Sequence, residues 1–108
     1  KKIKFLFGDK EMRIALFVTI DLKRGRREDN LILAHEQQRR VLKNEKGCKQ
    51  FDVLIPEKPE NRIHLFEVYE DEAALDLLMN TDHMGIYREI SESMITKKVL
   101  NRCTISGG

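Results

Sequence analysis

Residues 47–83 read GCKQFDVLIPEKPENRIHLFEVYEDEAALDLLMNTDH, and this stretch decides the fold. Its first part alternates side chains between two faces, with Phe51, Val53 and Ile55 on one of them, which predicts a strand. Two prolines then end the strand, because proline cannot donate a backbone hydrogen bond to a sheet. A second alternating run at residues 62–70 predicts the return strand, so the stretch is interpreted as an antiparallel hairpin.

The two predicted strands each present two distinct faces. In the first strand, strict alternation puts Cys48 on the face opposite to Phe51. Asp71 follows the second strand and is a predicted helix N-cap, because its carboxylate can accept free backbone N–H groups. The faces of the second strand comprise Ile63, Leu65, Glu67 and Tyr69 on one side and His64, Phe66 and Val68 on the other.

A strand and a long helix are predicted before the hairpin. Residues 13–22 predict a strand that is apolar on both faces, and both faces are therefore expected to be covered. Residues 26–46 predict a helix that ends at Gly47, which is expected to act as a left-handed cap. The buried stripe predicted for this helix comprises Leu31, Ala34, His35, Gln38, Val41, Leu42 and Glu45.

Two shorter helices and a last strand are predicted after the hairpin. Residues 71–79 predict one helix, and Thr81 with Asp82 can cap another. Residues 96–105 predict the closing strand. The face of the later helix that is expected to be buried comprises His83, Tyr87, Ile90 and Met94.

This order of elements predicts an α+β fold. With short links and right-handed crossovers it closes as a ferredoxin-like four-stranded antiparallel sheet with helices on one face. The other face would then leave apolar side chains in water, such as Leu54, Leu65 or Phe66. Burial of a patch of several hundred Å² is worth many kcal/mol at about 25 cal/mol per Å². We therefore expect a homodimer in which two sheets pack face to face.

Composition limits the domain count and the classes of partner. The 108 residues fit one domain, expected at residues 13–106, with residues 1–12 as an N-terminal arm or short extra strand. The 20 basic residues are nearly balanced by 18 acidic ones, so nucleic acid is not an expected partner. No apolar run approaches the roughly 20 residues that span a bilayer, so a membrane is not expected either.

The cysteines and histidines show no metal-ligand or redox spacing. Cys48 and Cys103 form no CxxC pair, which favours two small buried thiols in a reducing cytoplasm over a disulfide. The three histidines form no HxH or HxxxH pattern, so the sequence predicts no metal site.

The central stretch, with MGIYREI after it, resembles the antibiotic biosynthesis monooxygenase domain, and within it the small quinol monooxygenases and the autoinducer-2-degrading isomerases. The likeness covers roughly residues 13–105 by the order of elements. It is carried by Gly47-Cys48, Phe51-Asp52-Val53, Glu67-x-Tyr69, Asp71-Glu72-Ala73-Ala74 and Thr81-x-His83.

The resemblance implies a dimeric α+β barrel without a metal or organic cofactor. Monooxygenase members oxidise quinol or polycyclic substrates directly with dioxygen: a base removes a phenolic proton, and the resulting anion gives an electron to oxygen. Members often carry a further histidine five residues before the one that matches His83, and this chain has Leu78 there.

The candidate site residues follow from the resemblance and from their positions in the predicted elements. His83 is the predicted base, because imidazole titrates near neutral pH and this one begins a helix. Glu67 and Tyr69 are the other catalytic candidates, as a carboxylate among apolar neighbours and a phenol that can donate to a substrate oxygen. The predicted substrate-binding residues are Asp52, His64, Phe66 and Tyr87.

Three functions remain open from the sequence. The first is a cofactor-independent monooxygenase that acts on a quinol or hydroxylated aromatic. The second is an isomerase or degrading enzyme for a small phosphorylated signal such as autoinducer-2, favoured by the many arginines and lysines. The third is a non-catalytic dimeric binding module, favoured by Leu78.

Overall fold

The computed structural model describes residues 12–107, and within them four strands and three helices follow the predicted order. The arm or extra strand predicted for residues 1–12 lies, except for Met12, outside the described residues. None of the helices in the described part has the length and apolarity that crossing a bilayer requires. The elements are β1 Ile14–Leu22, α1 Arg27–Asn44, β2 Cys48–Leu54, β3 Arg62–Tyr69, α2 Glu72–Met79, α3 Asp82–Glu92 and β4 Ile95–Thr104.

The strands form an antiparallel sheet in the order β2-β3-β1-β4. The first and third strands in sequence are therefore central, and β2 and β4 are the edges. The helices lie on one face, which confirms the predicted ferredoxin-like α+β fold.

The sheet face under the helices, here called the inner face, holds the core. In β1 it carries the alternating apolar residues that were predicted to share a face, from Ile14, which is 7% exposed, to Leu22, which is 0% exposed. In β3 it carries residues 63, 65, 67 and 69, which share one face of the strand as predicted, and Leu16 pairs directly with Glu67. The opposite side, called the outer face, is formed by Ala15, Phe17, Thr19, Leu54, His64, Phe66, Val68 and Val99.

Two predicted side-chain orientations in the sheet are wrong. Leu65 was expected on the exposed face, but it pairs with Val18 on the inner face and is buried. Cys48 was expected opposite to Phe51, but the register shifts between Cys48 and Gln50. This bulge inserts one residue, so Cys48 and Phe51 both lie on the inner face.

The buried stripe of α1 is rotated from the predicted one. The buried residues are Asn30, Ala34, Gln37 and Val41. His35 and Leu42 are exposed, so their predicted burial is wrong. The prediction missed Asn30 and Gln37, because a polar side chain is buried in a core only where it finds hydrogen-bond partners. Those partners come from α3 and the residues that flank it.

Gly47 is needed for close packing and not for a left-handed cap. Among residues 12–107, positive φ angles occur only at Gly25 and Gly107. A side-chain carbon at position 47 would overlap the side chain of Ala74 in α2. The absence of a side chain therefore lets α2 settle against the turn before β2.

The predicted N-caps of the last two helices are confirmed. The Asp71 carboxylate accepts the Ala74 N–H at 2.8 Å, and the Thr81 hydroxyl accepts the Met84 N–H at 3.3 Å. On α3, Tyr87 is buried as predicted, whereas Ile90 is 48% exposed, which corrects that part of the predicted face. Cys103 is also exposed and unpaired, contrary to the expected burial of both thiols.

Candidate functional site

A small cavity of about 50 Å³ lies between the inner face of the sheet and the three helices. Most of its wall is apolar, and the polar groups that reach it come from β3, β4, α1 and α3. A hollow with apolar walls and a few converging polar groups is the usual form of a small-molecule site. Its lining residues are Leu16, Val18, Gln37, Phe51, Leu65, Glu67, Met79, Met84, Tyr87, Arg88, Lys98 and Leu100.

Glu67 supplies the carboxylate of the cavity. It sits in the middle of β3 on the inner face and is only 7% exposed. Burial raises its pKa, and this effect exceeds the opposing ones of the hydrogen bond from Tyr69 and the charge of Lys98. A carboxylate with a raised pKa is a stronger base once it is ionised, which suits it to accept a proton from a bound molecule.

Tyr69 reaches the cavity through Glu67 and does not line it. Its hydroxyl donates to Glu67 Oε1 at 2.5 Å, two residues along the same strand face. Burial and then the Glu67 charge raise the pKa of Tyr69 far above its ordinary value, so the phenol stays protonated. Tyr69 therefore holds one carboxylate oxygen of Glu67 in place.

Tyr87 brings a second phenol into the cavity from α3. Burial, with a smaller contribution from the Glu67 charge, raises the pKa of Tyr87 to about 12. Its hydroxyl is therefore a hydrogen-bond donor at neutral pH. Glu67 and Tyr87 together give the cavity one acceptor and one donor.

Two cations, Lys98 and Arg88, complete the lining, and sequence reasoning missed both. Lys98 belongs to the edge strand and is exposed as a residue, although its side chain borders the cavity. Burial is the main cause that lowers the pKa of Lys98; the Glu67 carboxylate opposes it and the Arg88 charge adds to it. The pairing of Lys98 with Ile20 puts Lys98 on the inner face, which a correct strand register would have revealed.

His83 lies in the first turn of α3 and does not line the cavity. Arg40 Nη1 donates to Gln37 Oε1 at 2.9 Å, which turns Gln37 Nε2 toward His83 Nδ1 at 3.2 Å. His83 Nδ1 then accepts, and Nε2 carries the proton that is donated to Glu45 Oε2 at 3.1 Å. Both ring nitrogens thus have hydrogen-bond partners. The imidazole is connected to the cavity through Gln37, a residue that the predicted buried stripe did not include.

The remaining predicted site residues lie on the far side of the sheet. His64 and Phe66 are on the outer face, where the His64 ring stacks on Phe17 with ring centroids 5.0 Å apart. His64 Nδ1 also lies 3.1 Å from the Thr19 hydroxyl. Asp52 accepts a hydrogen bond from Gln50 Nε2 at 2.6 Å. The structure therefore brings Glu67, Tyr69 and Tyr87 together and separates them from Asp52, His64 and Phe66.

The comparison with protein families gives one match, described as antibiotic biosynthesis monooxygenase, over residues 13–89. The matched segment contains every helix and strand except β4 and the end of α3. No curated protein matches the chain.

Solved structures with the same fold come from several bacteria. A Caulobacter crescentus protein described as a "putative antibiotic biosynthesis monooxygenase" is 16% identical, with TM-score 0.84 over 88% of this chain and 91% of its own. A Nitrosomonas europaea protein of the same description is 15% identical, with TM-score 0.83 over 91% of this chain and 94% of its own. A Bacteroides thetaiotaomicron protein described as "Possible Oxidoreductase" is 21% identical, with TM-score 0.82 over 88% and 99%. At these identities the structures establish the shared fold.

Proposed function

The chain belongs to the antibiotic biosynthesis monooxygenase family, and from this premise we propose that it oxidises a quinol or hydroxylated aromatic with dioxygen. The observation that carries the proposal is that a buried carboxylate, Glu67, and a protonated phenol, Tyr87, line the same mainly apolar cavity. A phenolic substrate needs both groups: an acceptor for its proton and a donor for the oxygen that keeps the charge.

The proposed reaction balances with dioxygen as its only oxidant. Glu67 takes a phenolic proton, and the resulting phenolate gives one electron to dioxygen, which forms a phenoxyl radical and superoxide. These recombine to form a carbon–oxygen bond on the ring. Glu67 returns its proton to the peroxide. The ring carbon that carries the peroxide then loses its hydrogen as a proton, and that electron pair forms the new C=O bond as the O–O bond breaks. The released hydroxide takes up this proton and leaves as water, and the product is a hydroxyquinone.

The surrounding residues would assist this chemistry without taking part in bond changes. Tyr69 holds Glu67 by its 2.5 Å hydrogen bond, so the free carboxylate oxygen points to one place. The apolar walls exclude water, which strengthens the base and protects the radical pair from side reactions.

We propose that His83 is a positioning residue and that Glu67 is the base. His83 Nδ1 accepts from Gln37 and its Nε2–H donates to Glu45, so neither nitrogen is left for a substrate proton. By holding the Gln37 amide, the imidazole shapes the cavity wall that Gln37 forms.

The cavity size favours a second candidate function. A volume of about 50 Å³ holds only one or two water molecules, so an aromatic ring must displace side chains such as Met79 and Met84. If Met79 and Met84 do not move aside, no aromatic ring can enter the cavity, and the protein would be a dimeric binding module without catalysis.

We further propose that the protein is a homodimer joined through the outer face. That face exposes large apolar side chains, with Phe17 at 36%, Leu54 at 40% and Val99 at 40%. The helices pack on the inner face, so a second copy of the chain is the occupant that fits the flat apolar surface on the other side of the sheet.

Oxygen uptake by the purified chain across a panel of quinols tests the proposed reaction. We expect Glu67→Gln to lower kcat by about 100-fold or more, because general base catalysis is typically worth 10²- to 10⁴-fold. Tyr87→Phe should lower it less, by about tenfold, since one neutral hydrogen bond is lost. The control is Glu89→Gln at an exposed position of α3, which should match the wild type.

Two results would contradict the proposal. If Glu67→Gln consumed oxygen as fast as the wild type, Glu67 would not be the base. If the wild type bound quinols but consumed no oxygen with any of them, the binding-module function would replace oxidation.

A further inference from the structure

A second, more open hollow of about 240 Å³ adjoins the cavity, between α3 and β4. Arg88 and Lys98 line both hollows, so these two side chains form the partition between them. The rest of the outer hollow is formed by Ser91, Glu92 and Ile95.

Neither cation of this partition is firmly held. Among residues 12–107, Lys98 makes no hydrogen bond or ion pair, and the one hydrogen bond of the Arg88 side chain is a long 3.4 Å contact to the Met79 carbonyl. Cations that border an apolar cavity are usually paired with an anion. Arg88 also repels Lys98 and contributes to lowering the pKa of Lys98, although the attraction of the Glu67 carboxylate has the larger effect.

We propose that Arg88 and Lys98 bind the anionic substituent of the substrate, so that the substrate class is a hydroxylated aromatic carrying a carboxylate. This inference rests on the proposed oxidation at the same cavity. The carboxylate would sit between the guanidinium and the ammonium, where it relieves their repulsion and accepts from several donors at once.

The dimensions of the two hollows support this placement. The inner cavity, at about 50 Å³, is too small for an aromatic ring, whereas the outer hollow offers about 240 Å³. If Arg88 leaves its weak contact with Met79 to meet a carboxylate, the partition opens and the ring can bridge both hollows. Its hydroxyl group would then reach Glu67 and Tyr87 at the inner end.

The neighbouring carboxylates are consistent with this orientation. Glu67 lines the inner cavity but not the outer hollow, so a substrate carboxylate on the outer side of the partition has Arg88 and Lys98 between it and the proposed base. Glu92 borders the outer hollow and opposes an anion there. We therefore expect Glu92→Gln to strengthen binding of a carboxylated ligand.

Calorimetric titration under nitrogen separates binding from turnover. The probes are hydroquinone and 2,5-dihydroxybenzoate, which differ only by a carboxylate. We expect the benzoate to bind at least tenfold more tightly to the wild type. Lys98→Gln and Arg88→Gln should each weaken its binding about tenfold and change hydroquinone binding less than twofold. The matched control is Lys97→Gln, the adjacent lysine on the opposite face of β4, which should leave both affinities unchanged.

Several outcomes would overturn the inference: equal binding of the two probes, binding of neither, or a carboxylate preference that survives both substitutions. Its failure is distinct from failure of the proposed oxidation. Oxygen uptake with hydroquinone and no carboxylate preference would refute the inference alone. A carboxylate preference that both substitutions abolish, with no oxygen uptake by the wild type, would refute oxidation alone.

Discussion

At the scale of single residues, the chemistry of the site comes from burial more than from residue type. Glu67 is one of many glutamates in the chain, and the core around it is what raises its pKa. The same core keeps Tyr87 protonated, with its pKa raised to about 12. His83, with the more familiar catalytic side chain, is instead fixed between Gln37 and Glu45.

The raised pKa of Glu67 predicts a pH-dependent stability. Because the folded-state pKa lies above the unfolded one, the contribution of Glu67 is fully present below the unfolded pKa and is lost as pH rises through the folded pKa. In Glu67→Gln this decrease in stability does not occur, because the amide does not ionise. The free energy of unfolding of Glu67→Gln should therefore increase relative to wild type as the pH rises from the unfolded-state pKa through the raised folded-state pKa, by about 1.4 kcal/mol per unit of pKa shift.

Urea unfolding of both proteins at several pH values measures this difference. Glu89→Gln, at an exposed position of α3, is the control and should follow the wild type at every pH. A constant difference between wild type and Glu67→Gln across that range would show that Glu67 is not buried as described.

Substitutions at His83 test its proposed positioning role. His83→Ala should lower kcat, because Gln37 loses its acceptor, and His83→Asn should restore most of it, since the amide oxygen of asparagine can accept from Gln37. The pH profile of kcat/KM should keep its shape in both variants, because Glu67 sets it. Equal loss in both variants, with a changed pH profile, would identify the imidazole as the base.

At the scale of elements, close contacts at the ends of strands and helices set how α2 and α3 cover the sheet. The bulge after Cys48 turns that residue to the inner face, and Gly47 beside it lets Ala74 approach. The Asp71 and Thr81 caps then begin α2 and α3 at defined residues. These contacts position α3, which carries Tyr87 and Arg88 to the cavity.

Two glycine substitutions separate packing from helix propensity. Gly47→Ala should destabilise the protein by about 1–3 kcal/mol, because the added methyl group overlaps Ala74. Gly85→Ala, within α3 and with nothing near the new methyl group, should stabilise it by up to about 1 kcal/mol. Denaturant unfolding measures both, and the Gly47→Ala, Ala74→Gly double variant should recover part of the loss. Wild-type stability in Gly47→Ala would contradict the close contact.

At the scale of the whole molecule, a sheet with helices on one face leaves apolar side chains exposed on the other. The outer face carries exposed Phe17, the stacked His64 ring and Phe66. Because both the cavity and the core lie on the inner face, the proposed dimer would form without blocking the site.

Light scattering at micromolar concentration tests the dimer. We expect the wild type to have twice the mass of one chain, and Phe17→Glu to have the mass of one chain, because a charge at the interface centre is not paired. Ile32→Glu, which changes an apolar side chain 60% exposed on α1, should remain dimeric. A monomeric wild type would remove the proposal.

Residue patterns alone are enough to predict the order of elements, the alternation of faces in β1 and β3, and the caps at Asp71 and Thr81. These depend on periodicity and on local hydrogen bonds, which neighbouring residues settle among themselves. The order of elements also predicted the ferredoxin-like fold, and the family likeness pointed to Glu67 and Tyr69.

The set of polar residues that meet in the cavity depends on the folded chain. Gln37 is buried because Arg40 and His83 satisfy its amide, and Lys98 borders the cavity because the β1–β4 register turns it inward. Each fact depends on a partner far away in the sequence, His83 for Gln37 and Ile20 for Lys98, so no local pattern could contain it. The hydrogen-bond partners of His83 and the burial of Glu67 likewise exist only once the chain has folded.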